Sequence, residues 1–145
     1  MKLTISGRVA LVLTLCSMLV GAVAHRHIAW DGMVMGRGGS KIRGLMEMVG
    51  GKVAGTTSVE VTYSGDTPGA TRSWHVHRGS CAKGAAILGI ANAYTPLRVD
   101  AKGAVAAKAT LRVTLPDSGS FYLDIHESPV AGAKLVACGE LLLAE

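Results

Sequence analysis

Apolar and polar positions alternate with a period of two through much of the chain beyond residue 57. In residues 104–115, Val105, Ala107, Ala109, Leu111, Val113 and Leu115 fall on one side of the pattern, and Lys108, Thr110, Arg112 and Thr114 on the other. Successive side chains of an extended chain point to opposite faces, so this pattern predicts a strand buried on one face. Residues 58–63 repeat it, with Val59, Val61 and Tyr63 set against Glu60 and Thr62. Residues 121–126 follow suit, with Phe121, Leu123 and Ile125 expected inward and Tyr122, Asp124 and His126 outward. Between residues 104–115 and 121–126, Pro116-Asp117-Ser118-Gly119 is a turn sequence, and the two strands are expected to form a hairpin. Weaker strand patterns cover 42–49, 71–77, 97–99 and 135–142. Residues 83–93 are rich in alanine but interrupted by Gly84 and Gly89, and are expected as a loop or a turn of helix. Short strands separated by turn signals predict an all-β sandwich or barrel.

The first 40 residues have a different character. Lys2 and Arg8 precede an apolar run over 9–24 that ends in Ala22-Val23-Ala24, the pattern of a secretory signal peptide cleaved after Ala24. Thr14, Ser17 and Gly21 interrupt the run, which falls short of the roughly 20 apolar residues that span a membrane. Leu15 before Cys16 is a poor fit to a lipid-attachment site. After cleavage no membrane association is expected, and the protein is placed in the periplasm or outside the cell. Residues 25–40 are rich in His, Met and Gly without a clean period, and are expected to be flexible. That leaves 41–145 as a single β domain.

Charge and cysteines narrow the function classes. The formal net charge of +5 falls once Lys2 and Arg8 are removed, and no basic block remains to suggest a nucleic-acid partner. Of three cysteines only Cys81 and Cys138 outlast cleavage, and such a pair in an exported chain is normally oxidised. Closing so long a loop contributes about 4 kcal/mol by chain entropy. No G-x-S-x-G elbow supports a hydrolase, and the cysteines are not paired at C-x-x-C distance for structural zinc.

The candidate chemistry lies in histidines. In Trp74-His75-Val76-His77 the strand period puts both imidazoles on one face, able to serve one metal ion. His126 emerges on the polar side of another strand. Cys81 follows His77 by four residues and Cys138 follows His126 by twelve, so a disulfide would draw the two histidine segments together. Imidazole suits both copper and zinc. A second candidate set starts at the mature N-terminus: with His25-Arg26-His27 exposed there, the free amine, two amides and the His27 imidazole could surround Cu(II) in a plane. Met33 and Met35 are candidate thioether ligands for Cu(I), whereas Met46 and Met48 are expected in the core.

Taken as a set, His75-Val76-His77, Gly79-Ser80-Cys81, His126-Glu127-Ser128-Pro129 and Ala137-Cys138-Gly139 resemble Cu/Zn superoxide dismutase over residues 58–142. The resemblance implies a Greek-key β-barrel or sandwich, copper held by His75, His77 and His126, a Cys81–Cys138 disulfide, and superoxide as substrate. It also has gaps. Residues 83–99 contain no His, Asp, Glu or Cys, so the family's bridging histidine and zinc site are not expected. Leu135 stands where the family has its anion-guiding arginine. Lys134 beside it is the remaining candidate for attracting an anion, without arginine's planar fork. Two functions follow as expectations: an exported copper-only dismutase-like enzyme, or a copper-binding or buffering protein that exchanges the ion with a donor or acceptor protein. A structural module with a decayed site is the third.

Overall fold

The structure, a computed structural model, describes residues 28–144. Among the described residues nine strands follow one another: β1 (Ala29–Gly36), β2 (Arg43–Gly50), β3 (Thr57–Ser64), β4 (Thr71–Ser80), β5 (Lys83–Ile87), β6 (Leu97–Arg98), β7 (Val105–Leu111), β8 (Phe121–His126) and β9 (Leu135–Leu143). A 3-10 turn, Ala91–Ala93, lies between β5 and β6. The strands pair antiparallel in the order β5-β4-β8-β9-β1-β2-β3-β7. β6 pairs with the start of β4 and also packs against β7, so the sheet curls until its two ends approach one another. The all-β expectation holds. Among the described residues no helix is long and apolar enough to cross a membrane.

The inward positions of the two-residue periods fill the curl. Val59, Val61 and Tyr63 of β3, Trp74 and Val76 of β4, Ala109 and Leu111 of β7, and Phe121, Leu123 and Ile125 of β8 are all buried. Met46 and Met48 of β2 join them, as expected from the sequence. The Met46 methyl group rests over Gly32 and Gly139, where a Cβ would collide with it and with the backbone of a neighbouring strand. Glycine is needed at both places for this close approach.

Three expectations are corrected. Part of the segment expected to be flexible is β1, which lies between β2 and β9 with Trp30 and Val34 in the core. Its period is hidden in the sequence because Gly32 takes an inward place and the apolar Met33, 54 % exposed, an outward one. The β domain therefore includes residues ahead of position 41. Residues 25–27, with His25 and His27, lie outside the described residues, as does the segment read as a signal peptide. The second correction concerns the expected hairpin. β7 pairs with β3, while β8 pairs with β4 and β9, so residues 112–120 cross from one side of the sheet to the other. Trp30 Nε1 donates to the Pro116 carbonyl at 2.8 Å and fastens this crossing to β1. A turn sequence marks a change of direction but says nothing about which strand the chain joins next. Third, residues 83–87 form an edge strand, β5, where a loop or helical turn was expected.

Candidate metal centre

β4 and β8 run side by side, and their register sets the site. Ser73 faces His126, His75 faces Asp124 and His77 faces Tyr122. All six occupy the outer face of the sheet, opposite Trp74, Val76, Leu123 and Ile125. Beyond His77 the pairing of β4 with its edge neighbour β5 is bulged between His77 and Gly79, whose φ of +98° suits glycine, while the Gly79 amide still donates to the Ser120 carbonyl ahead of β8 at 2.9 Å. The chain then turns back at Cys81. The Cys81–Cys138 disulfide, with Cα atoms 6.1 Å apart, ties this turn to β9 across β8. Glu140 of β9 adds a hydrogen bond, accepting from the Cys81 amide at 2.9 Å.

The outer face is consequently covered. The β-period places Tyr122 and Asp124 outward as expected, yet Asp124 is only 6 % exposed. Two loops complete the enclosure. In one, Tyr94 donates to the Leu88 carbonyl at 2.8 Å and packs edge-on against both Trp74 and His75. In the other, residues 127–134 are held by the Ser73 hydroxyl, which donates to the Ser128 carbonyl at 3.0 Å.

Two backbone carbonyls each orient one histidine. The Nδ1 of His77 lies 2.9 Å from the Ala85 carbonyl, and the Nδ1 of His126 lies 2.8 Å from the Ala133 carbonyl. A carbonyl can only accept, so both Nδ1 atoms carry hydrogen and both Nε2 atoms turn to the space between the strands. There they meet one carboxylate. Asp124 Oδ2 is 3.2 Å from His77 Nε2 and 3.1 Å from His126 Nε2. The first contact is close without the alignment of a hydrogen bond, leaving His77 Nε2 buried and unpartnered, and Asp124 Oδ1 is buried and unpartnered as well. His77 also stacks on Tyr122, with ring centres 5.0 Å apart.

Charge shifts report the same crowding. Burial depresses the His75 imidazole below its ordinary value, and the neighbouring histidines add to the effect. Burial also acts to lower His77, but the Asp124 carboxylate and the Ala85 carbonyl reward the protonated ring and hold it above the ordinary value. For Asp124, burial favours the neutral acid, yet the two histidines outweigh it and keep the carboxyl below the usual range.

His75, His77 and Asp124 each offer one ligand atom within 4.8 Å of the others, a two-imidazole, one-carboxylate set that could close on a metal ion. His126 stands at the edge of that set, reaching it through Asp124. The structure thus groups His75 and His77 with Asp124 rather than with His126. Asp124 is not among the ligands expected from the sequence, although it lies two residues before His126 and so shares its face. An open cleft of about 600 Å³ leads to His75 and His126 from the side of Tyr94 and Val130. Among the described residues its lining carries no Lys, Arg, Asp or Glu. Lys134 is not part of it. The Lys134 amine lies over Gly38 in the β1–β2 connection, while Leu135 pairs with His126 in the sheet. Met35 is paired with Cys138, separated from Asp124 by β9. No protein-family model matches the chain, and no curated protein matches it in sequence.

Proposed function

We propose that this protein is an exported copper-binding protein that holds one ion between β4 and β8 through the imidazoles of His75, His77 and His126. The observation that carries this reading is that Asp124 Oδ1 is buried and unpartnered, and that His77 Nε2 is buried 3.2 Å from the same carboxylate without an aligned hydrogen bond. Burying such atoms without partners is costly, and a cation among them would offset the cost. The Ala85 and Ala133 carbonyls preset two of the rings for coordination, since each accepts from Nδ1–H and leaves a lone pair on Nε2 for a metal. Bound copper would supply one-electron redox chemistry at this point. The export reading rests on the signal-like segment 1–24, and the disulfide is compatible with an oxidising compartment, the periplasm or the cell exterior. A protein partner that delivers or receives copper would then be required. His25 and His27 could add a separate Cu(II) site at a mature N-terminus.

A second reading, superoxide dismutation in the manner of the family the motifs resemble, is favoured by the cleft, which gives small molecules a route to His75 and His126. The lining, uncharged among the described residues, and a Lys134 amine turned toward Gly38 argue against fast capture of an anion, because neither supplies a cation to the cleft.

The deciding measurement is the metal content and affinity of the disulfide-bonded protein beside a His75→Ala/His77→Ala/His126→Ala variant. We expect one tightly held copper per chain, lost in the variant. Equal, weak uptake by both proteins would sink the three-histidine site, and a preference for zinc would overturn the identity of the ion. Dismutation by the copper-loaded protein no faster than by free copper chelates would remove the enzyme reading and leave the binding one.

A further inference from the structure

We infer that Asp124 is a direct ionic member of this centre, and that its carboxylate makes the site favour Cu(II) over Cu(I). The inference rests on the copper reading above and concerns which oxidation state these particular residues select. Asp124 lies directly opposite His75 and is only 6 % exposed. One of its oxygens touches Nε2 of both His77 and His126, and the other has no partner. Strand packing alone does not call for a carboxylate here, since an apolar side chain of similar shape would fill the place without leaving a buried oxygen unpartnered. Three imidazoles suffice to hold either copper ion. What the carboxylate adds is a fixed negative charge and a hard oxygen donor beside the ion, and both favour the doubly charged state over the singly charged one.

The rest of the donor set agrees. Cu(I) is favoured by thiolates and thioethers. Cys81 and Cys138 are joined to each other and offer no thiolate. Met35 is on the far side of β9 from Asp124, and Met33 is exposed on the same distant strand. Nitrogen and oxygen are what the enclosed space presents.

The test is competition titration of Cu(II) and, anaerobically, of Cu(I), each against a chelator specific for that ion, using wild type, Asp124→Asn and His126→Ala. We expect Asp124→Asn to weaken Cu(II) binding by about 10–100-fold while Cu(I) affinity stays at the wild-type value. His126→Ala, which removes a neutral imidazole, should weaken both ions and leave their ratio close to wild type. Asp124→Ser repeats the test should the amide variant fail to fold, with the thermal melt of each protein deciding that point. Equal losses for both ions in the Asp124 variants would reduce Asp124 to a support for the histidines and overturn the inference. So would no loss for either ion. Wild-type protein that binds neither ion would instead remove the copper reading itself.

Discussion

Arg72 grips the Asp66 carboxylate with two nitrogens, Nη2 at 2.5 Å from Oδ1 and Nε at 3.1 Å from Oδ2, and Tyr63 donates to the same carboxylate at 3.1 Å. The remaining guanidinium nitrogen, Nη1, donates to the Glu127 carbonyl at 2.6 Å, one residue beyond His126. A residue on the histidine-bearing strand thus holds the loop that orients His126. Asp66 is 3 % exposed and Arg72 11 % at their side chains, so removing one partner strands the other. Arg72→Met should cost about 3 kcal/mol in urea unfolding. Burial acts to raise the Asp66 carboxyl, but Arg72 and the Thr67 amide prevail and hold it below the ordinary aspartate range. A depressed folded-state value means stability that is complete above the unfolded value of about 4 and is lost as pH falls through the folded one. Asp66→Asn should therefore flatten part of the acid limb of the stability profile below about pH 4; an unchanged limb would show that the pair titrates alike in both states. The sequence gives no sign of this pair, because Asp66 sits in a turn sequence and Arg72 at a strand start, both ordinary places for charged residues.

At the level of elements, β1 shows where pattern reading fails. Trp30-Asp31-Gly32-Met33-Val34 alternates in space, but a glycine inside and a methionine outside erase the contrast that reveals a strand. β1 is nonetheless central, joining β9 to β2, and Trp30 packs edge-on against Phe121 at 5.0 Å between ring centres. Trp30→Ala should destabilise the protein by about 3–5 kcal/mol in chemical denaturation. A loss under about 1 kcal/mol would mean β1 is dispensable, as a flexible segment would be. By contrast β3 and β8 are legible in the sequence almost throughout, since each carries branched or aromatic side chains at its inward positions.

Across the whole molecule, the disulfide and the two loops bury Tyr122, Asp124 and Cys138 on the outer sheet face and leave the histidines beside them half-buried. The bond closes a separation of 57 residues, for which chain entropy gives about 4 kcal/mol of stabilisation. Cys81→Ser/Cys138→Ser should lower unfolding stability by a comparable amount and, through the freed turn beyond His77, weaken the proposed metal binding without altering the sheet. Intact affinity in that variant would show that the loops alone keep the centre in shape.

The sequence by itself determined the fold class, the core of most strands, the cysteine pair and the shared outer face of the three histidines, because strand period is a local property and cysteine chemistry is carried in residue identity. Pairing partners, the burial of Asp124 and the retreat of Lys134 from the cleft were decided only by the tertiary structure. Each depends on which distant segments come to lie side by side. A two-residue period states which face a side chain takes, but what covers that face is set by the loops that fold over it.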